Sequence, residues 1–106
     1  MSSQILTKML FAEKIRQLRE EKRLLQRQVS AFLEIDNALY CKIERGDRRA
    51  KREHVVKLAE ILQADSDELL CLWLAEKVYD VIGEEENASR VLNVVKENIS
   101  KYEKRK

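Results

Sequence analysis

Proline is absent from this chain of 106 residues, and glycine occurs twice, at Gly46 and Gly83. Sheets and hairpins draw on these residues between strands, so the sequence lacks the punctuation of a strand-rich fold. An all-α fold is the natural reading. Long apolar runs are missing too: the longest near-apolar stretch, Glu68 to Ala75, falls far short of the roughly 20 residues that cross a bilayer. Met1-Ser2-Ser3-Gln4 lacks a basic segment with a long apolar run behind it, so the expectation is a cytoplasmic protein with no membrane contact.

Metal-ligating residues are equally scarce. Cys41 and Cys71 stand 30 positions apart with the single histidine, His54, between them, which matches no zinc spacing and supplies too few ligands for a closed site. No metal or other cofactor is expected. Both thiols read as free, reduced and partly buried, and Leu70-Cys71-Leu72-Trp73 is an apolar setting that leaves a thiol inert. A nucleophile, a base and an orienting group cannot be assembled from this inventory, so an enzyme is not expected.

What the chain does have is a mixture of 44% hydrophobic and 38% charged residues, enough to fill one modest core and coat it. The formal net charge of +2 conceals an asymmetry. Residues 1–54 carry 13 basic and 8 acidic side chains, a balance of +5, whereas residues 55–106 carry 8 and 11, a balance of −3. The first half is suited to face a polyanion, and the second need not be. Its densest basic cluster, Lys42, Arg45, Arg48, Arg49, Lys51 and Arg52, straddles Gly46.

Apolar residues at three- and four-residue steps mark a series of helices. Phe11, Ile15 and Leu18 predict one from about Thr7 to Lys22, and Val29, Phe32 and Leu33 a short second from Gln26 to Leu33. Glu34-Ile35-Asp36 reads as a tight corner, with the Asp36 carboxylate as N-cap of a third helix from Asn37 to Arg45 that Gly46 ends. A fourth is predicted from Arg52 to Gln63. Asp65 and Glu68 resemble a capping box opening a fifth helix through Ile82, which Gly83 breaks. The stripe Ala88, Val91, Leu92, Val95, Ile99 and Tyr102 predicts a sixth from Glu84 to about Lys104.

Two short helices around a three-residue corner, the second followed by glycine and a basic loop, are the parts of a helix-turn-helix DNA reader. The stretch from Val29 to Gly46, ending Lys42-Ile43-Glu44-Arg45-Gly46, resembles the family of phage repressors and Cro proteins often called XRE. The likeness runs from Phe11 to about Leu70 and includes Leu58-Ala59-Glu60-Ile61-Leu62 and Asp65-Ser66-Asp67-Glu68-Leu69-Leu70. It implies a five-helix repressor-like domain over residues 7–70 and a helical extension over 71–106. Three positions depart from the pattern: Glu34 and Arg23 stand where glycine is frequent, and Leu25 replaces a Ser or Thr cap. A left-handed backbone at Glu34 costs about 1 kcal/mol or more, so a slightly altered corner is expected.

By the family's pattern the outward face of the third helix reads base edges with Asn37, Ala38 and Lys42, with Leu39 nearby. Tyr40 and Ile43 fall on the core side. Gln26 opens the second helix, where unpaired amides and the positive dipole end attract a phosphate, and Arg27 stands beside it. Arg48, Arg49, Lys51 and Arg52 would lie along the adjacent DNA backbone. The resemblance also implies a structural ion pair between Arg19 and Glu44.

Palindromic sites are read by two-fold dimers, so double-stranded DNA and a second copy are the expected partners. The long apolar fifth helix, with Trp73, Val78, Tyr79 and Ile82, and the last helix, with Val91, Leu92, Val95 and Ile99, form the expected dimer interface. A last helix folded back as a lid on its own domain is the other option. The functional expectation is a cytoplasmic, nucleoid-associated transcriptional regulator of the repressor type. The alternative is an adaptor that uses the same fold to dock another protein.

Overall fold

The computed structural model describes residues 10–105. Six helices and no strand occur among them: α1 (Leu10–Glu21), α2 (Gln26–Leu33), α3 (Asn37–Arg45), α4 (Arg52–Ile61), α5 (Ser66–Ile82) and α6 (Ala88–Arg105). Residues 7–9, where the first helix was expected to begin, lie outside the described part. None of these helices is long and apolar enough to cross a membrane.

The core forms where the apolar stripes of α1 to α5 meet. Ile15, Val29, Tyr40, Val55, Leu58, Leu62 and Leu69 are fully buried, with Phe11, Leu33, Ile43, Ala59 and Trp73 around them. Packing runs between α4 and α5, between α2 and α3, from α1 to both α3 and α5, and from α2 to α4. Phe32, expected on the inner side of α2, instead faces solvent. The division expected near residue 70 falls within α5, whose first half packs on the core through Leu69 and Trp73 while its second half runs on past it.

The first four helices leave by one device. The amide shortly past each helix reaches back to a carbonyl five residues earlier: Leu24 to Arg19 (3.1 Å), Ile35 to Ser30 (3.1 Å), Asp47 to Lys42 (2.8 Å) and Ala64 to Ala59 (2.8 Å). This closure needs a left-handed residue just before that amide. Those residues are Arg23 (φ 58°), Glu34 (φ 59°), Gly46 (φ 83°) and Gln63 (φ 54°). The corner at Glu34 is therefore not altered; it keeps the left-handed geometry without glycine. The residue after each non-glycine exit explains why: Leu24, Ile35 and Ala64 all pack against the core. Their burial offsets the roughly 1–2 kcal/mol that a left-handed L-residue costs. Gly46 precedes Asp47, which has no apolar anchor to offer, and there glycine removes the cost itself.

Helix starts differ more from expectation. Asp36 precedes α3, but its carboxylate accepts no bond from the helix amides. Asp65 does cap α5, through the amide of Asp67 (2.9 Å) rather than as half of a box with Glu68. At α2 the Gln28 side chain takes the Leu25 amide (2.7 Å), which defines the entry even though leucine has no cap of its own. Helix α4 stops at Ile61, two residues early, because the exit through Gln63 begins there. Helix α6 starts at Ala88, since the run of three glutamates before it forms turns and the first helical bond goes from Val91 to the Asn87 carbonyl (2.9 Å). Gly83 does end α5, at ordinary helical φ; a Cβ there would lie 2.6 Å from the Tyr79 carbonyl oxygen, so only glycine fits.

Candidate nucleic-acid interface

Helix α3 is held by its inner face. Tyr40, Ile43 and Glu44 are buried, and Asn37, Ala38, Lys42 and Arg45 are exposed on the opposite side. Leu39, expected near the reading surface, is half-buried and packs against the core. Cys41, also half-buried, donates to Gln26 Oε1 (3.2 Å).

The Glu44 carboxylate is the point where three helices join. It accepts from Arg19 Nε (2.7 Å) and Nη2 (2.9 Å) on α1, from Gln26 Nε2 (2.9 Å) on α2, and from Tyr40 Oη (2.6 Å) one turn back on α3. Arg19 spends its remaining fork nitrogen, Nη1, on the Leu24 carbonyl (2.8 Å). Burial alone would push the Glu44 carboxyl up, but these donors outweigh it and hold it below its ordinary range. Burial, then the adjacent carboxylate, pushes the Tyr40 phenol up. The assembly is architectural: it sets the angle at which α3 stands off from α1 and α2.

Gln26 stands at the start of α2, but both ends of its side-chain amide are committed, to Glu44 and to Cys41. What α2 offers a phosphate is its first backbone amides, which Leu25 cannot cap, with exposed Arg27 beside them. Across the corner, the Ser30 hydroxyl lies 3.2 Å from Asn37 Oδ1 and orients the first side chain of α3.

The basic loop after α3 divides into engaged and free cations. Arg45 pairs with Asp47 (3.1 Å), Arg49 pairs with Asp80 of α5, and Arg52 lies over the Trp73 ring with Cζ 5.8 Å from its centroid. Arg27, Lys42, Arg48 and Lys51 are exposed and have no acidic partner among the described residues. The four surround the exposed face of α3 in sequence, before, on and after it.

Two placements overturn the expected surface of α5. Trp73, assigned to the dimer interface, is 5% exposed; its Nε1 donates to the Ala50 carbonyl (2.8 Å) and Lys77 Nζ lies 3.8 Å from the ring centroid. An indole with its N–H satisfied inside one subunit is core. Cys71, expected among apolar neighbours, is exposed, because it lies on the side of α5 away from Leu69 and Trp73. Val78, Val91, Leu92, Val95 and Ile99 are exposed, while Tyr79 and Ile82 are half-buried in the angle between α5 and α6.

Sequence reasoning missed one contact made from the middle of α5. Glu76 accepts from the Phe11 amide (2.7 Å), so a carboxylate from α5 caps α1. Burial pushes the Glu76 carboxyl up, against the pull of that amide and of the Arg49 charge. The spacing Trp73, Glu76, Asp80 along one face of α5 was the available signal.

Two short helices locked across a left-handed corner, the second with an exposed outer face flanked by exposed cations, define the helix-turn-helix class of DNA-binding domains. The family model described as helix-turn-helix domain matches residues 10–72, more than half of the chain, and the chain belongs to that family. No curated protein and no solved structure matches it.

Proposed function

We propose that this chain is a sequence-specific transcriptional regulator of the repressor type, similar to the XRE regulators, and that it reads a palindromic operator as a homodimer. The observation that carries the reading is the outer face of α3. Asn37, Ala38 and Lys42 are exposed there, with Asn37 Oδ1 beside the Ser30 hydroxyl, while Glu44 fixes the opposite face to α1 and α2. Asn37 would pair with adenine through its amide, Lys42 would donate to guanine acceptors, and Ala38 would touch a thymine methyl. The α2 amides with Arg27, and Arg48, Arg49, Lys51 and Arg52, would hold phosphates on either side. Repression requires only that the operator be occupied. A DNA partner of this kind implies the cytoplasm, at the nucleoid.

The second copy is supported by the carboxy-terminal third. An apolar trough of about 770 Å³ between α5 and α6 is lined by Val78, Ile82, Val91, Leu92, Val95 and Ile99, and Ile99 is 54% exposed. A helix with one apolar face and so little cover among the described residues is suited to pairing with its two-fold mate. Residues 71–106 would thus serve dimerisation, and residues 7–70 would read DNA.

Selection of bound sites from a random duplex pool tests the reading. A palindromic consensus is expected, with half-sites about one helical turn apart. Asn37→Ala or Lys42→Ala should change preference at one base pair per half-site by about 1–3 kcal/mol, whereas Arg48→Ala should weaken all sequences alike. Light scattering on the Leu92→Asp, Val95→Asp double variant should report a monomer. A chain that recovers no DNA sequence at low salt refutes the regulator and leaves the adaptor alternative.

A further inference from the structure

Helix α5 grips the basic loop at two consecutive residues. Trp73 takes the Ala50 carbonyl through its indole N–H (2.8 Å), and Asp80, two turns further on, takes the Arg49 guanidinium. Glu76, between them on the same face, also feels the Arg49 charge. Arg49 is thereby set apart from Arg48 and Lys51, its exposed neighbours with no acidic partner among the described residues. A guanidinium held by a carboxylate is in the arrangement it would adopt on a phosphate, with the same kind of acceptor oxygens and the same sign of charge.

We propose that Asp80 is an internal stand-in for a DNA phosphate and sets the affinity of the chain for duplex DNA. This rests on the reading of α3 as the DNA-facing helix. In the free protein Asp80 holds Arg49, and binding DNA exchanges that carboxylate for a phosphate oxygen. Arg49 must give up that carboxylate to reach a phosphate, so it contributes less than an unpaired arginine would. Both side chains are partly open to solvent, 38% for Arg49 and 33% for Asp80, so water and salt can mediate the exchange. Asp80 lies in the last turn of α5, between Val78 and Ile82 of the apolar trough, so the acid that restrains the DNA-facing loop belongs to the element proposed to pair with the second subunit.

The test is a double-mutant cycle in the full chain, with fluorescence anisotropy on a selected operator duplex at several salt concentrations. Asp80→Asn should bind about two- to fivefold more tightly, the range of an exposed ion pair. Arg49→Gln should bind more weakly than the parent. The deciding measurement is Asp80→Asn in the Arg49→Gln background, where the gain should disappear. A gain that persists without Arg49 means that removing any negative charge suffices, and overturns the proposal. So does an unchanged affinity in Asp80→Asn when the parent binds. A parent chain that binds no duplex removes the regulator reading itself, and the proposal with it, which is a different result from either.

Discussion

Truncating Glu44 to alanine is the sharpest test of how α3 is held. The side chain is 3% exposed and its partner Arg19 13%, so the pair is largely buried, with Arg19 nearer to water. Removing the carboxylate leaves the Arg19 fork with the Leu24 carbonyl alone, and strands the Tyr40 hydroxyl and the Gln26 amide. Breaking a buried pair in this way costs about 3–5 kcal/mol, because the remaining charge stays buried. The lower end applies here. Arg19, Gln26 and Glu44 border an open polar hollow of about 520 Å³ through which water can reach the orphaned donors. A loss of about 3 kcal/mol is a large share of the roughly 5–15 kcal/mol that holds a domain folded, and corresponds to a fall in Tm on the order of 15 °C. Urea titration followed by fluorescence of Trp73, the single tryptophan and a core residue, reads this directly at fixed protein concentration. The cycle with Arg19→Met adds the coupling: the double variant should be less destabilised than the sum of the singles by about 1 kcal/mol or more. A loss under about 1 kcal/mol for Glu44→Ala, or strict additivity, would refute the joint as the element that sets α3.

The same contacts fix the remaining outcomes. Glu34→Gly relieves a left-handed backbone worth about 1–2 kcal/mol, offset by glycine's unfolded-state entropy and by the exposed pair with Lys57, so Tm should rise by about 2–4 °C in a calorimetric scan. Trp73→Phe keeps an aromatic ring but removes part of the core volume and leaves the Ala50 carbonyl without its donor; about 2 kcal/mol or more should be lost in thermal unfolding followed by circular dichroism, and DNA affinity should fall with it. The folded Glu44 carboxyl titrates below its unfolded value of 4.5, so its contribution is complete above that pH and is lost as pH falls through the lower folded value. Urea midpoints of the parent and of Glu44→Gln should therefore converge as pH drops from about 5 towards 3. Glu76 has the opposite sign, its folded carboxyl titrating above 4.5, so Glu76→Gln should lose no stability at neutral pH.

Much of the fold was readable because α1 to α4 have contrast. In α2 and α3 the apolar positions alternate with polar ones at helical steps, and both helices begin and end where the pattern does. Gly46 was readable for the same reason, as a lone permissive residue after a periodic run. Helix α5 has no such contrast. Leu69, Leu70, Leu72, Trp73 and Leu74 cover most of its circumference, so periodicity cannot say which side faces the core, and the core takes Leu69 and Trp73. That is why Trp73 was placed on the wrong surface and Cys71 in the wrong environment. The cations raise a different problem. Arg48 and Arg49 are adjacent and chemically alike, and what distinguishes them is an acid 31 residues beyond Arg49. Long-range pairing leaves no local trace, so the charge cluster could be read but not its division into engaged and free members.

The left-handed exits impose a particular pattern of tolerance on the sequence. At positions 23, 34 and 63 the backbone is bent by the residue that comes next, so these side chains can change widely without loss of the bend. The adjoining Leu24, Ile35 and Ala64 act as pegs, and a charge at any of them would free a helix end. In a deep mutational library, survivors should be varied at each exit residue and narrowly apolar one step later. At Gly46 and Asp47 the order should reverse, the glycine fixed and its neighbour open.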